Sequence, residues 1–251
     1  MSKYRLLALD LDGTTLLDNK TISNASKYWI EKAKDKGVVV SFATGRGVQN
    51  TGDYRTQLGL SSPMVLLNGA DIWKSPEELI ERHFIDKKDI EKLYHLANET
   101  NSLFWGYSPD SLTRKQEWTP EMFDRRWMKF GFSNQEMAVI EDMKAVITKW
   151  GNLEVTQSGS NNLEISIKGI TKEYGIRKVC TMLDIGMDQV MAIGDSYNDM
   201  KLIKSAGLGV VMGNANNHLK EVAACTTDTN ENDGVAKAIC QHIFEMEYFW
   251  K

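Results

Sequence analysis

The sequence predicts an α/β protein: a Rossmann-like core built on a parallel sheet, with an α+β domain inserted into it. Three observations predict this. Short apolar runs recur at Leu6–Leu9, Val38–Ala43, Met64–Leu67, Val190–Ile193 and Leu208–Val211, each with the length and composition of a strand covered on both faces. Helical patterns alternate with these runs, as parallel strands joined by right-handed crossovers require. Between the third and fourth runs lies a long stretch of different character. At 251 residues the chain has material for one large domain or two small ones.

Taken in order, the first run ends in Asp10-Leu11-Asp12-Gly13-Thr14. Two acids one residue apart therefore stand at the carboxyl edge of the first strand, the edge at which open α/β sheets bind ligands. A helix is predicted over Ser26–Lys36, with Trp29, Ile30 and Ala33 at helical spacing and Gly37 as its stop. The second run continues into Thr44-Gly45-Arg46. A hydroxyl at a strand end, followed by a glycine that frees backbone N–H groups, suits a phosphate oxygen. Gly45–Gly59 is a weaker helical segment.

From Phe84 to Ile167 the pattern turns α+β. Lys87–Glu99 reads as a helix with Ile90, Leu93, Tyr94 and Ala97 on one face, and Leu103–Tyr107 and Leu163–Ile167 read as strands. Helical stretches are predicted over Pro120–Phe130 and Asn134–Lys144. The division expected is residues 1–83 and 168–251 for the core, and 84–167 for a small domain over the sheet edge. Its many aromatic residues, Trp105, Trp118, Trp127 and Trp150 among them, are expected to form mainly its own core.

Another helix starts near Lys172, with Ile176, Val179, Cys180 and Leu183 on one face. Lysine in a first helical turn opposes the helix dipole. On a surface the cost is small; over a bound dianion the same lysine neutralises charge where the helix N–H groups already point. Val190–Ile193 then runs into Gly194-Asp195-Ser196-Tyr197-Asn198-Asp199. Asp195 stands at a strand end and Asp199 one helical turn on. Helix capping accounts for one of these acids but not both. Converging with Asp10 and Asp12, they would make a hard, oxygen-only site suited to Mg²⁺. The aromatic end, Phe244–Trp250, is expected to be a docked terminal helix, with a subunit contact as a further use; monomer and homodimer are both left open.

Composition narrows the function. A formal charge of −4 with no basic stripe gives no footprint for nucleic acid, and no stretch is apolar enough to span a bilayer. Asp10 and Asp12 interrupt what would otherwise be a signal-peptide core. Three cysteines, Cys180, Cys225 and Cys240, make a disulfide framework unexpected. A cytoplasmic protein is the expectation. His83, His95, His218 and His242 lack metal-ligand spacing, and neither a P-loop nor a dinucleotide fingerprint is present.

These four motifs, Asp10-Leu11-Asp12-Gly13-Thr14, Thr44-Gly45-Arg46, Lys172 and Gly194-Asp195-Ser196-Tyr197-Asn198-Asp199, resemble the ordered motifs of the haloacid dehalogenase-like superfamily. The insertion between the second and third is similar to the α/β cap of the Cof-type, class IIB phosphatases. Asn68-Gly69-Ala70, Met212-Gly213-Asn214-Ala215 and Asn232-Asp233-Gly234-Val235-Ala236 agree with it. Thr15, and the absence of a proline before Lys172, depart from it.

The resemblance implies a Mg²⁺-dependent phosphatase acting on a small phosphorylated metabolite, sugar phosphates foremost. Asp10 would be the nucleophile and Asp12 the acid/base. Asp10, Asp12 (through its backbone carbonyl), Asp195 and Asp199 would hold the metal, and Thr44, Gly45, Lys172 and Asn198 the phosphate. Asn68, Arg46 and Arg114 are further candidates for substrate contact. A phosphotransferase or mutase using the same aspartyl-phosphate is the alternative, with a non-enzymatic phosphate-binding switch behind it.

Overall fold

The computed structural model describes residues 2–250. Strand β1 (Leu6–Leu9) is fully buried, and α1 (Asn24–Asp35) follows, capped by Ser23, whose hydroxyl accepts from the Ser26 N–H at 3.1 Å. β2 (Val39–Phe42), α2 (Gly52–Gln57), β3 (Met64–Leu66), β4 (Asp71–Trp73) and β5 (Leu79–Arg82) complete the first part of the chain. Then come α3 (Lys87–Glu99), β6 (Leu103–Tyr107), β7 (Leu112–Arg114), β8 (Lys129–Ser133), α4 (Met137–Trp150), β9 (Leu153–Thr156) and β10 (Asn162–Ile167). The chain closes with α5 (Lys172–Leu183), β11 (Val190–Gly194), α6 (Met200–Ser205), β12 (Leu208–Val211), α7 (Asn217–Val222), β13 (Cys225–Thr226) and α8 (Gly234–Ile243).

Three sheets result. One is parallel and five-stranded in the order β13-β12-β11-β1-β2. Both its faces are covered: Leu7, Leu9, Met191 and Ile193 pack toward α1 and α8, and Leu6, Ala8, Val190 and Ala192 toward α5 and α6. That two-sided burial is why these strands read as unbroken apolar runs. The second sheet is antiparallel, β7-β6-β8-β10-β9, and packs with α3 and α4 around a separate cluster that includes Trp127, Phe130, Phe132 and Leu163. The third joins β3, β4 and β5.

The structure corrects several expectations. Met64–Leu66 forms an antiparallel pair with β4 rather than a strand of the parallel sheet, although a parallel bridge between Ala43 and Val65 ties it to the edge of β2. The stretch 120–130 is not a helix. A short 3₁₀ turn, Pro120–Asp124, gives way to β8, where Phe130 and Phe132 both enter the core at the two-residue period of a strand. Residues 45–59 hold only a 3₁₀ turn and the short α2.

Among the described residues beyond Ile243 there is no terminal helix. Glu245 turns to φ 57°, and the Met246 N–H returns to the Cys240 carbonyl. The aromatic end is nonetheless docked, with Phe244 and Phe249 edge-on to Trp29. All three cysteines are free. Among the described residues no helix is long and apolar enough to cross a membrane.

Phe132 is fully buried in the second cluster, so Phe132→Ala is expected to cost about 3–5 kcal/mol by urea unfolding. A loss below about 1 kcal/mol would contradict its place at the centre of that core.

Candidate active site

Strand register brings the motifs together. Leu9 lies opposite Ile193 on one side and Phe42 on the other. The residues that leave these three strands, Asp10, Asp195 and Thr44, therefore emerge at one edge, and the Asp10 N–H still donates to Ile193 at 3.0 Å. The Thr44 turn is tied to the Asn68 turn by bonds in both directions: Thr44 N–H to the Val65 carbonyl at 3.0 Å, and Asn68 N–H to the Thr44 carbonyl at 2.9 Å. Asn68 itself sits at φ 56°, in the left-handed region that asparagine tolerates better than most residues.

At this edge the carboxylates of Asp10, Asp195 and Asp199 lie with ligand oxygens within 4.8 Å of one another. Lys172, fully buried at the start of α5, places its ammonium 2.8 Å from both Asp10 Oδ1 and Asp199 Oδ1. The remaining Asp199 oxygen accepts the N–H groups of Asp195 and Ser196, each at 3.1 Å. Thr14 and Ser196 donate to the two oxygens of Asp195 at 3.0 Å. Close approach also explains Gly13: at φ +73° its Cβ would stand 2.4 Å from Asp195 Oδ2.

Three carboxylates share one ammonium, so the cluster is short of positive charge. Burial pushes the Asp10 carboxyl well above its ordinary value; the Lys172 ammonium pulls against this, while repulsion from Asp199 and Asp195 adds to the rise. Burial, and then the Asp199 charge, push Asp195 up to about 6. Burial works against the Lys172 charge, but the neighbouring Asp10 and Asp199 more than offset it and its affinity for a proton is raised. A divalent cation that prefers oxygen ligands fits this donor set.

Asp12 stands apart. Its carboxylate is gripped by Arg46 through Nε (2.6 Å) and Nη2 (2.7 Å), and by Lys20 at 3.0 Å. Partial burial works the other way, but these partners hold its carboxyl down at about 2. Its side chain is not among the clustered ligands. Asp10, Asp12, Thr44, Gly45, Asn198 and Arg114 line a single cavity of about 590 Å³. Arg114 is at its exposed rim on β7, its backbone N–H held by Glu117.

Two residues in that cavity have no counterpart in the sequence motifs. Lys129 on β8 and Glu164 on β10 form an ion pair at 2.8 Å with side chains 3% and 9% exposed. Lys129 donates to the Gly45 carbonyl at 2.8 Å. Glu164 accepts from Asn68 Nδ2 at 2.7 Å, and Asn68 Oδ1 in turn accepts from Asn198 Nδ2 at 3.3 Å. The available signal was weak: a charged residue between or beside apolar ones in each of two short strands.

Asp195 yields a pH prediction. Its pKa of about 6 in the fold lies above the ordinary value near 3.9, so its favourable contribution is complete below about pH 3.9 and is lost as pH rises through about 6. Asp195→Asn should therefore stabilise the metal-free protein more at pH 7.5 than at pH 5, by about 1 kcal/mol or more, in thermal melts. It should also shrink the stabilisation that Mg²⁺ gives at pH 7.5. An equal effect at both pH values would contradict the raised pKa.

Comparison with known proteins identifies the family. A sequence profile described as haloacid dehalogenase-like hydrolase matches residues 7–144 and 112–239. Over 235 residues the chain is 40% identical to the 5-amino-6-(5-phospho-D-ribitylamino)uracil phosphatase YcsE of Bacillus subtilis, with 94% of each chain covered. The phosphatase BT1666 from Bacteroides thetaiotaomicron superposes with a TM-score of 0.83 at 25% identity, covering 96% of this chain and 95% of that one. The subclass IIB sugar phosphatase BT4131 shares the fold, with a TM-score of 0.83 at 20% identity over 94% of this chain and 97% of its own. The chain belongs to the haloacid dehalogenase-like hydrolases and has the α/β fold of their subclass IIB members.

Proposed function

We propose that the chain is a Mg²⁺-dependent phosphatase that hydrolyses phosphate monoesters of small metabolites through an aspartyl-phosphate on Asp10. The observation that carries this reading is the buried cluster of Asp10, Asp195 and Asp199 around the single Lys172 ammonium, opening on a cavity that also holds Asp12. When bound, Mg²⁺ would be held by Asp10, Asp195 and Asp199 with the backbone carbonyl of Asp12, and would offset the negative charge of the phosphoryl group.

A carboxylate of Asp10 attacks phosphorus in line, and the bond to the leaving oxygen breaks. Thr44, the Gly45 N–H, Lys172 and Asn198 hold the non-bridging oxygens, whose charge must be met in the transition state. Lys172 also opposes the burial that raises the Asp10 carboxyl, and a bound cation would favour the ionised nucleophile further. Asp12 gives its proton to the leaving oxygen, then takes one from the water that cleaves the aspartyl-phosphate. Its grip by Arg46 and Lys20 suits the second half of this cycle, in which it must be ionised. For the first half, the arriving anion draws Arg46 away and lets Asp12 carry a proton.

Residues 84–167 act in this reading as a cap over the sheet edge, excluding water and reading the leaving group. The relative with 40% identity is named for a phosphorylated ribitylamino-pyrimidine. A substrate of that kind, a polyol phosphate carrying a heteroaromatic ring, suits the cavity here. Trp105 and Tyr107 line the same cavity of about 590 Å³ as Asp10, and aromatic walls offer a stacking face.

Phosphate release from p-nitrophenyl phosphate, with and without Mg²⁺, tests the chemistry. Asp10→Asn is expected to lower turnover by about 10³-fold or more with the fold intact; turnover within a few-fold of wild type would remove Asp10 as nucleophile. Asp12→Asn should also lose orders of magnitude in rate while accumulating phosphoenzyme. Transfer to an added alcohol exceeding release to water would instead indicate a phosphotransferase.

A further inference from the structure

Lys129 combines four features that a merely structural lysine does not need together. It is carried by β8 of the second sheet, yet its ammonium bonds the backbone of the parallel sheet's second motif, at the Gly45 carbonyl. It is 2% exposed but lines the same cavity as Asp10, Thr44 and Asn198. Its contact is close: a Cβ at Gly45 would stand 3.2 Å from Lys129 Nζ and 3.0 Å from Glu164 Oε2. Finally, an ammonium has three donors, and two are committed, one to Glu164 and one to Gly45. Among the described residues the third has no acceptor.

We propose that Lys129 is a phosphoryl-binding residue supplied by the second sheet, donating its third N–H to an oxygen of a phosphate held at Thr44 and Gly45, and that Glu164 is the positioning residue that aims it. The inference rests on the phosphatase reading above and adds a ligand outside the four motifs. Burying a lysine beside a phosphate site is costly unless the charge is compensated. Glu164 compensates it in the free protein and fixes one of its donors, as the Gly45 carbonyl fixes a second; Asn68 and Ser158 in turn hold the Glu164 oxygens at 2.7 and 3.1 Å. The dianion then meets a cation already aimed, without reorganisation on binding. The same arrangement makes phosphate affinity depend on the second sheet lying against the Gly45 turn.

Charge makes the two partners separable. Removing Lys129 takes a donor and a cation from the phosphate, while neutralising Glu164 leaves the ammonium in place and removes a nearby negative charge. Calorimetric titration with inorganic phosphate in the presence of Mg²⁺ reads both. Lys129→Gln should weaken phosphate binding by about tenfold or more, Lys129→Arg should recover part of that loss, and Glu164→Gln should bind phosphate more tightly than wild type. Unchanged affinity in Lys129→Gln, or weakening of similar size in both neutral variants, would overturn the proposal and leave the pair as a structural link between the sheets. If Lys129→Gln does not fold, the sign of the Glu164→Gln effect decides alone. Failure here is distinguishable from failure of the phosphatase reading: Mg²⁺-dependent turnover lost in Asp10→Asn would stand even if phosphate ignored Lys129.

Discussion

The Lys172 ammonium, fully buried and 2.8 Å from both Asp10 and Asp199, is the interaction on which the rest of the structure depends. A buried charge is tolerated only when paired and hydrogen-bonded, and removing one partner of such a pair typically costs about 3–5 kcal/mol. Here the pairing joins the ends of β1 and β11 to the first turn of α5. Asp199 passes the constraint on, since its second oxygen holds the N–H groups of Asp195 and Ser196. The loop after β11 thus takes its shape from the same charge that Lys172 balances. One ammonium cannot neutralise three carboxylates, however, and such an oxygen-only donor set could hold a hard divalent cation.

The two larger sheets divide the work. The parallel sheet, covered on both faces, holds strand ends in fixed register and so aims the acidic groups. The antiparallel sheet has its own aromatic core, in which Trp118 stacks on Trp127 with centroids 4.6 Å apart, and it presents its other face to the cavity. Along β10, Leu163 and Ile165 enter that core while Glu164 turns toward Asn68 and Gly45. The strand period of two therefore lets one short segment build a core with one face and a polar wall with the other.

Most of the parallel sheet and all four motifs were legible in the sequence, because two-sided burial leaves unbroken apolar runs and the motifs stand directly at their ends. Lys172 illustrates what pattern alone leaves undecided: a lysine in a first helical turn reads equally well as a surface residue, and only Asp10 and Asp199 converging on it show otherwise. The inserted segment was harder. Met128, Phe130 and Phe132 follow a proline-led turn, and only three apolar residues at alternate positions are easily taken for the tail of a helix. Lys129 and Glu164 lie 35 residues apart in sequence, and Gly45 and Asn68 are farther away still. In an amphipathic strand such charges ordinarily mark the solvent face; here that face is covered by the parallel-sheet unit. The Asp12–Arg46 pair escaped for the same reason, since each residue matched its own motif and neither motif specifies a partner.

In the proposed reaction phosphate passes through Asp10. The most direct measurement is to mix the enzyme with substrate and Mg²⁺, quench within the first turnover, reduce with borohydride and locate the modified residue by mass spectrometry. An acyl phosphate on Asp10 is reduced to the alcohol, so homoserine is expected at position 10 in a substrate-dependent yield. Modification at another acid, or steady turnover with position 10 left unmodified in every quenched sample, would contradict it.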